Sequence, residues 1–238
     1  MMSRQMRSKS QIRPNQSTLL YAAVLTLVGF LVPFVQKVLL PLQYLNTHLH
    51  EFSHALVAQI TGAEVEKIVV NADGSGVTPV AGGSLILIAS AGYLGASIIG
   101  AVMIYCGRTE KGARITLWSI AAALTFSMIV WVRGDSVGEI SGFGWITTIA
   151  LVALLVKGKP LMFCVQFLGL QQCLNAVRSL FTLVEVSAST EIHSDASILQ
   201  SATHVPSIVW AVGWSAFSLA LVGWTLRRSW APMSGRAG

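Results

Sequence analysis

The chain has 238 residues, of which 53% are hydrophobic and only 11% charged, with a mean hydropathy of +0.66 and a formal net charge of +6. A soluble domain carries about 25% charged residues, so this composition excludes an ordinary soluble protein and points to a polytopic membrane protein. The positive balance is no nucleic-acid footprint, because the basic residues cluster at the ends of apolar runs, where they act as topology signals.

The first 16 residues are polar and basic, with Arg4, Arg7, Lys9 and Arg13, and read as a disordered cytoplasmic tail. Residues 17–36 form an uncharged apolar run long enough to span a bilayer. Lys37 follows with no small-residue cleavage site, so the run reads as a retained signal anchor. Pro33 and Pro41 predict a kink and then a break before the next helix.

That next helix is predicted over 43–60. It contains His50-Glu51-Phe52-Ser53-His54, an instance of His-Glu-x-x-His, set among Leu45, Leu49, Ala55, Leu56, Val57 and Ile60. Gly62 ends it. Three ionisable groups in an apolar helix are costly unless they face the protein interior, a metal or water.

Residues 63–80 alternate and are rich in β-branched residues around an Asn-Ala-Asp-Gly-Ser-Gly turn, which predicts a β-hairpin. Its edge could pair with an unwound substrate strand. Equally, it could simply connect two helices.

Apolar spans follow over 83–106, 115–132, 140–156, 161–184 and 205–226. The first carries Gly92, Gly95, Ala96 and Gly100, a small-residue face suited to close helix packing. The fourth carries Gln166, Gln171, Gln172, Asn175 and Arg178, a polar side expected to face the bundle interior and to line a water path. Cys106, Cys164 and Cys173 lie in apolar segments without a Cys-x-x-Cys pair, so they read as small buried hydrophobes.

The expected fold is therefore an all-α polytopic membrane protein of six to seven transmembrane helices, with a small β-hairpin after the His-Glu-x-x-His helix. One integral-membrane domain covers 17–228, between tails at 1–16 and 229–238. Basic loops at 107–114 and 157–160 share a side with basic ends, and the loops at 134–139 and 185–204 are acidic. Seven full spans would put the ends of the chain on opposite sides, so either one crossing among the first two helices is incomplete or the charge bias does not report the sides.

On a helix His50 and His54 lie one turn apart on the same face and can bind one Zn²⁺. Glu51 beside them can take a proton from metal-bound water. A catalytic zinc needs a third protein ligand. Asp195 is the first choice, because Ser194-Asp195 could open a short helix that positions it; the competing reading is a plain helix cap. His193 is second and Asp135 third. His48 falls on the opposite helical face and is a poor co-ligand. Asp73 reads as a turn residue. Asn175 is a candidate to hydrogen-bond the substrate carbonyl, or a ligand, or to tie helices together.

Taken together, His50-Glu51-Phe52-Ser53-His54, the following hairpin, Ser90-Ala91-Gly92-Tyr93-Leu94-Gly95, Asn175 and Ser194-Asp195-Ala196 resemble the M50B-like peptidases of the site-2-protease clan, over roughly residues 40–225. The Asn-Pro-x-Pro…Asp-Gly string of site-2 proteases proper is missing, as is a PDZ insertion. The resemblance implies a zinc metallopeptidase cutting membrane-protein substrates in or near the bilayer. Its metal ligands would be His50, His54 and Asp195, and Glu51 its general base. The expected setting is multi-pass in a bacterial plasma membrane, with lipid and a membrane-protein substrate as partners and no nucleic acid. The competing readings are a non-proteolytic metal-binding scaffold, a pseudoprotease that binds transmembrane segments, and a transporter.

Overall fold

The computed structural model describes residues 14–31, 40–186 and 194–230. Among these residues it is mostly helical, with α1 (Pro14–Leu31), α2 (Leu40–Ile60), α3 (Leu85–Cys106), α4 (Glu110–Val130), α5 (Ser136–Leu155), α6 (Gly158–Val186), α7 (Asp195–Thr203) and α8 (Ser207–Trp230). Four short strands lie between α2 and α3: β1 (Glu64–Val65), β2 (Val69–Val70), β3 (Gly76–Val77) and β4 (Val80–Ala81).

Local chemistry sets several of these boundaries. Thr109 caps α4 by accepting from the Gly112 amide, and Asp135 caps α5 by accepting from the Val137 amide. Pro41 was predicted to precede the helix, but α2 begins at Leu40 and includes it. It sits in the first turn, where a proline lacks only an amide that had no helical partner. Pro33 lies outside the described residues.

α3 and α6 form the centre of the bundle. Gly100 and Gly169 each lie against the other's carbonyl oxygen, so a Cβ at either would collide with backbone. Ser97 on α3 shares a 2.5 Å hydrogen bond with Ser218 on α8. The predicted polar side of α6 is partly a set of interhelical ties: Gln171 donates to Thr26 on α1, and Gln172 donates to Asn46 on α2. A buried amide in an apolar bundle needs partners, and the amide nitrogens of these two find theirs on neighbouring helices. Leu45, Leu49, Leu117, Leu124 and Ile149 form one apolar core, while Ile98, Val102, Phe126, Ile129 and Leu155 are exposed on the outside.

Among the described residues, four helices, α3, α4, α5 and α8, are long and apolar enough to cross a membrane. The start of α1 and the end of α8 meet: Asn15 Nδ2 donates to the Ser229 carbonyl at 3.1 Å, and Gln16 Nε2 to the Trp230 carbonyl at 3.0 Å. Both ends of the bundle chain therefore lie on one side.

The predicted hairpin forms, in two pieces. β1 pairs antiparallel with β4, matching Glu64 with Ala81, and β2 with β3, matching Val69 with Val77. Gly74 takes φ +85° in the connecting turn, a conformation that favours glycine. Ile68, at the head of β2, exchanges backbone bonds with Trp131 and Arg133 after α4, so that side of the hairpin is covered. The tip is fastened to α2, where Tyr44 donates to the Ala72 carbonyl and Thr47 to the Gly74 carbonyl.

Candidate metal centre

The i, i+4 spacing on α2 brings the Nε2 atoms of His50 and His54 to 3.0 Å. Both side chains are buried, at 8% and 5% exposure. Asp195 reaches them from a different element. Its Oδ2 lies 3.2 Å from His50 Nε2 and 3.3 Å from His54 Nε2. Three donor atoms thus form a nearly equilateral triangle. Tetrahedral zinc with bonds of about 2.0–2.1 Å places its ligand atoms about 3.3 Å apart, so these edges match the donor set of one ion.

The surroundings fit a cation. His54 Nδ1 lies 2.6 Å from the Ile88 carbonyl, which can only accept, so Nδ1 carries the hydrogen and Nε2 presents its lone pair. Among the described residues, His50 Nδ1 is buried with no hydrogen-bond partner. Gly92 on α3 forms the wall of the site, where a Cβ would overlap both Nε2 atoms. Any side chain at this position would force the two imidazoles to shift.

α7 positions Asp195 through a capping box. Ser194 accepts from the Ser197 amide, and Ser197 Oγ accepts from the Ser194 amide. Asp195 is the first residue of the helix and Ser194 is the cap. Ala196 and Leu199 anchor α7 in an apolar cluster with Ala89 and Trp214. Trp214 stacks on Tyr93 at 4.9 Å, and Tyr93 packs edge-on against His50 at 4.6 Å. A continuous aromatic contact therefore runs from α8 to the first histidine.

Glu51 is 4% exposed, and its Oε2 accepts a 2.7 Å hydrogen bond from Thr78 Oγ1, just beyond β3. Gly76 on β3 lies beside the same carboxylate, where a Cβ would come 2.7 Å from Oε1.

The other sequence candidates do not converge. His48 is buried against α5, with Nε2 3.0 Å from Ser141 Oγ, away from the triangle. Asp135 caps α5 and Asp73 bonds within its own turn to Ser75. His193 lies outside the described residues. Asn175 falls on α6, and its side chain is likewise outside what is described. Sequence reasoning missed Thr78 and Gly76, and it read Gly92 as a helix-packing residue only. The sole sequence signal for the first two was the Gly-Ser-Gly-Val-Thr stretch of the hairpin.

A sequence model of the family described as Peptidase M50B-like matches residues 20–225. The chain belongs to the M50B-like peptidase family. Comparison with curated proteins and with solved structures returned no match. The M50B-like match spans α2 with its His-Glu-x-x-His, Gly92 on α3 and Asp195 on α7, so every member of the triangle falls inside the family region.

Proposed function

We propose that the protein is a membrane-embedded zinc metallopeptidase that hydrolyses peptide bonds in or near the bilayer, with His50, His54 and Asp195 as the metal ligands. The observation that carries this reading is the convergence of those three donor atoms on one point, with Glu51 adjacent in sequence to the first of them. When bound, zinc would supply a Lewis acid that polarises the scissile carbonyl and acidifies water.

The chain's own residues do the rest. His54, fixed by its Nδ1–H bond to the Ile88 carbonyl, and His50, packed against Tyr93, hold the site rigid. Glu51 takes a proton from the attacking water at its carboxylate and returns it to the leaving amine. Asn175, about one turn beyond Gln172 on α6, hydrogen-bonds the substrate. An unwound substrate strand pairs along β3, since β2 is covered by residues 131–133 while β3 borders Glu51. A helical substrate must unwind before this, because its carbonyls are already bonded.

The meeting of α1 and α8 supports an even number of crossings. Six are proposed: α1, α3, α4, α5, α6 and α8. Positive-inside logic puts the ends and the basic loops in the cytoplasm.

The test is cleavage of fluorescein-labelled β-casein by the purified, zinc-loaded chain and by Glu51→Gln. The wild type is expected to cleave, and Glu51→Gln to lose at least about 100-fold in rate while keeping its zinc. Undiminished cleavage by Glu51→Gln would remove the general-base assignment. A zinc-bound wild type without cleavage would favour the scaffold reading.

A further inference from the structure

Both oxygens of the Glu51 carboxylate meet the hairpin. Oε2 accepts from the Thr78 hydroxyl at 2.7 Å, and Oε1 lies over the open face of Gly76. Gly76 and Thr78 are two positions apart on extended backbone, so they share a side, and Val77 between them is exposed. The same hairpin is fastened to the same face of α2 by Tyr44 to Ala72 at 2.7 Å and Thr47 to Gly74 at 2.6 Å. Positions 44, 47 and 51 follow the helical repeat, so residues 72–78 run along one stripe of α2 and end on Glu51. This is more contact than a connecting hairpin needs.

We propose that Thr78 is a positioning residue for Glu51, an assignment that rests on the proteolytic reading above. A threonine hydroxyl has one hydrogen; its contact with Glu51 Oε2 at 2.7 Å is much shorter than that with the Glu51 carbonyl at 3.4 Å, so Oε2 is the acceptor that takes it. An oxygen already accepting that bond is the poorer base, so Oε1 is the atom that takes the water proton and later gives it to the leaving amine. No bond to Thr78 forms or breaks, and the protein ends each cycle with Glu51 ionised. Gly76 completes the arrangement, because a Cβ there would come 2.7 Å from Oε1. The strand that borders the substrate thereby also sets the angle of the base.

The test uses the full-length, zinc-loaded chain in detergent. Thr78→Val keeps the shape and removes the hydroxyl; Thr78→Ser keeps the hydroxyl. With fluorescein-labelled β-casein, Thr78→Val is expected to lose about 10-fold in kcat with KM nearly unchanged, and Thr78→Ser to stay within about 3-fold of wild type. Binding of benzohydroxamic acid, measured by calorimetry without substrate, supplies an activity-free readout, because its hydroxyl hydrogen-bonds to the base beside the metal. Thr78→Val should weaken it in the wild-type background and change nothing in Glu51→Gln. An unchanged kcat, an effect on KM alone, or additive losses in the double variant would each overturn the proposal. A chain that binds the hydroxamate but cleaves no casein would end the proteolytic reading, and the hydroxamate cycle would still decide the Thr78–Glu51 coupling.

Discussion

Asp195 Oδ2 lies 3.2 Å from His50 Nε2 although 145 positions separate the two residues. The two histidines meet because a helix repeats every 3.6 residues. Asp195 meets them only because α3 and α8 hold α7 above α2. Its removal is therefore expected to weaken zinc binding by about 100-fold or more without unfolding the bundle. A competition titration against a chromogenic chelator reads this for Asp195→Ala, with Asp135→Ala as the comparison. Asp135 is a helix cap, so its variant should keep the zinc affinity and lose only about 1 kcal/mol of stability.

Gly92 offers a steric test of the same geometry. Gly92→Ala puts a methyl group into the space of both Nε2 atoms, so zinc binding and cleavage should both fall by at least about 10-fold. Gly213→Ala, where a Cβ meets nothing within 4 Å, should leave both unchanged. Equal zinc affinity in the two variants would mean that α3 does not wall the site.

The capping box around Ser194 predicts a smaller, graded effect. Ser194→Ala removes a hydrogen bond to the Ser197 amide and should cost about 1 kcal/mol at the start of α7. If that turn must be formed for Asp195 to bind, zinc affinity falls about 5-fold, and Ser194→Thr restores most of it. A change in thermal midpoint with no change in zinc affinity would separate the cap from the ligand.

The contact of Asn15 with Ser229 predicts that both ends of the chain face one compartment. Reporter domains fused at each end, one fusion at a time, should give the same compartment signal. Opposite signals would require an odd number of crossings and would break up the α1–α8 contact.

His50, Glu51 and His54 were legible from the sequence because their relation is local: helical spacing alone puts the imidazoles on one face. Asp195 was legible as a residue in a polar segment able to start a helix. Composition could not separate it from Asp135, since a capping aspartate and a ligating one look alike in a sequence. Three-dimensional placement sets Asp195 against the two histidines and Asp135 at the start of α5. The polar side of α6 was visible, and its use was not, because the partners Thr26 and Asn46 lie 145 and 126 positions away. Thr78 and Gly76 were hidden for a related reason. Their role depends on the hairpin lying back along α2, which follows from the Tyr44 and Thr47 contacts and not from strand alternation. The contact between the start of α1 and the end of α8 was hidden as well, because Asn15 and Ser229 lie 214 positions apart.

The most direct measurement is X-ray absorption at the zinc edge on the purified full-length chain, with metal content determined on the same sample. One zinc per chain is expected, with two imidazoles and oxygen donors at about 2.0–2.2 Å, and Asp195→Ala and His54→Ala should each lose the metal or change that shell. A zinc shell unaltered by both substitutions would contradict the account.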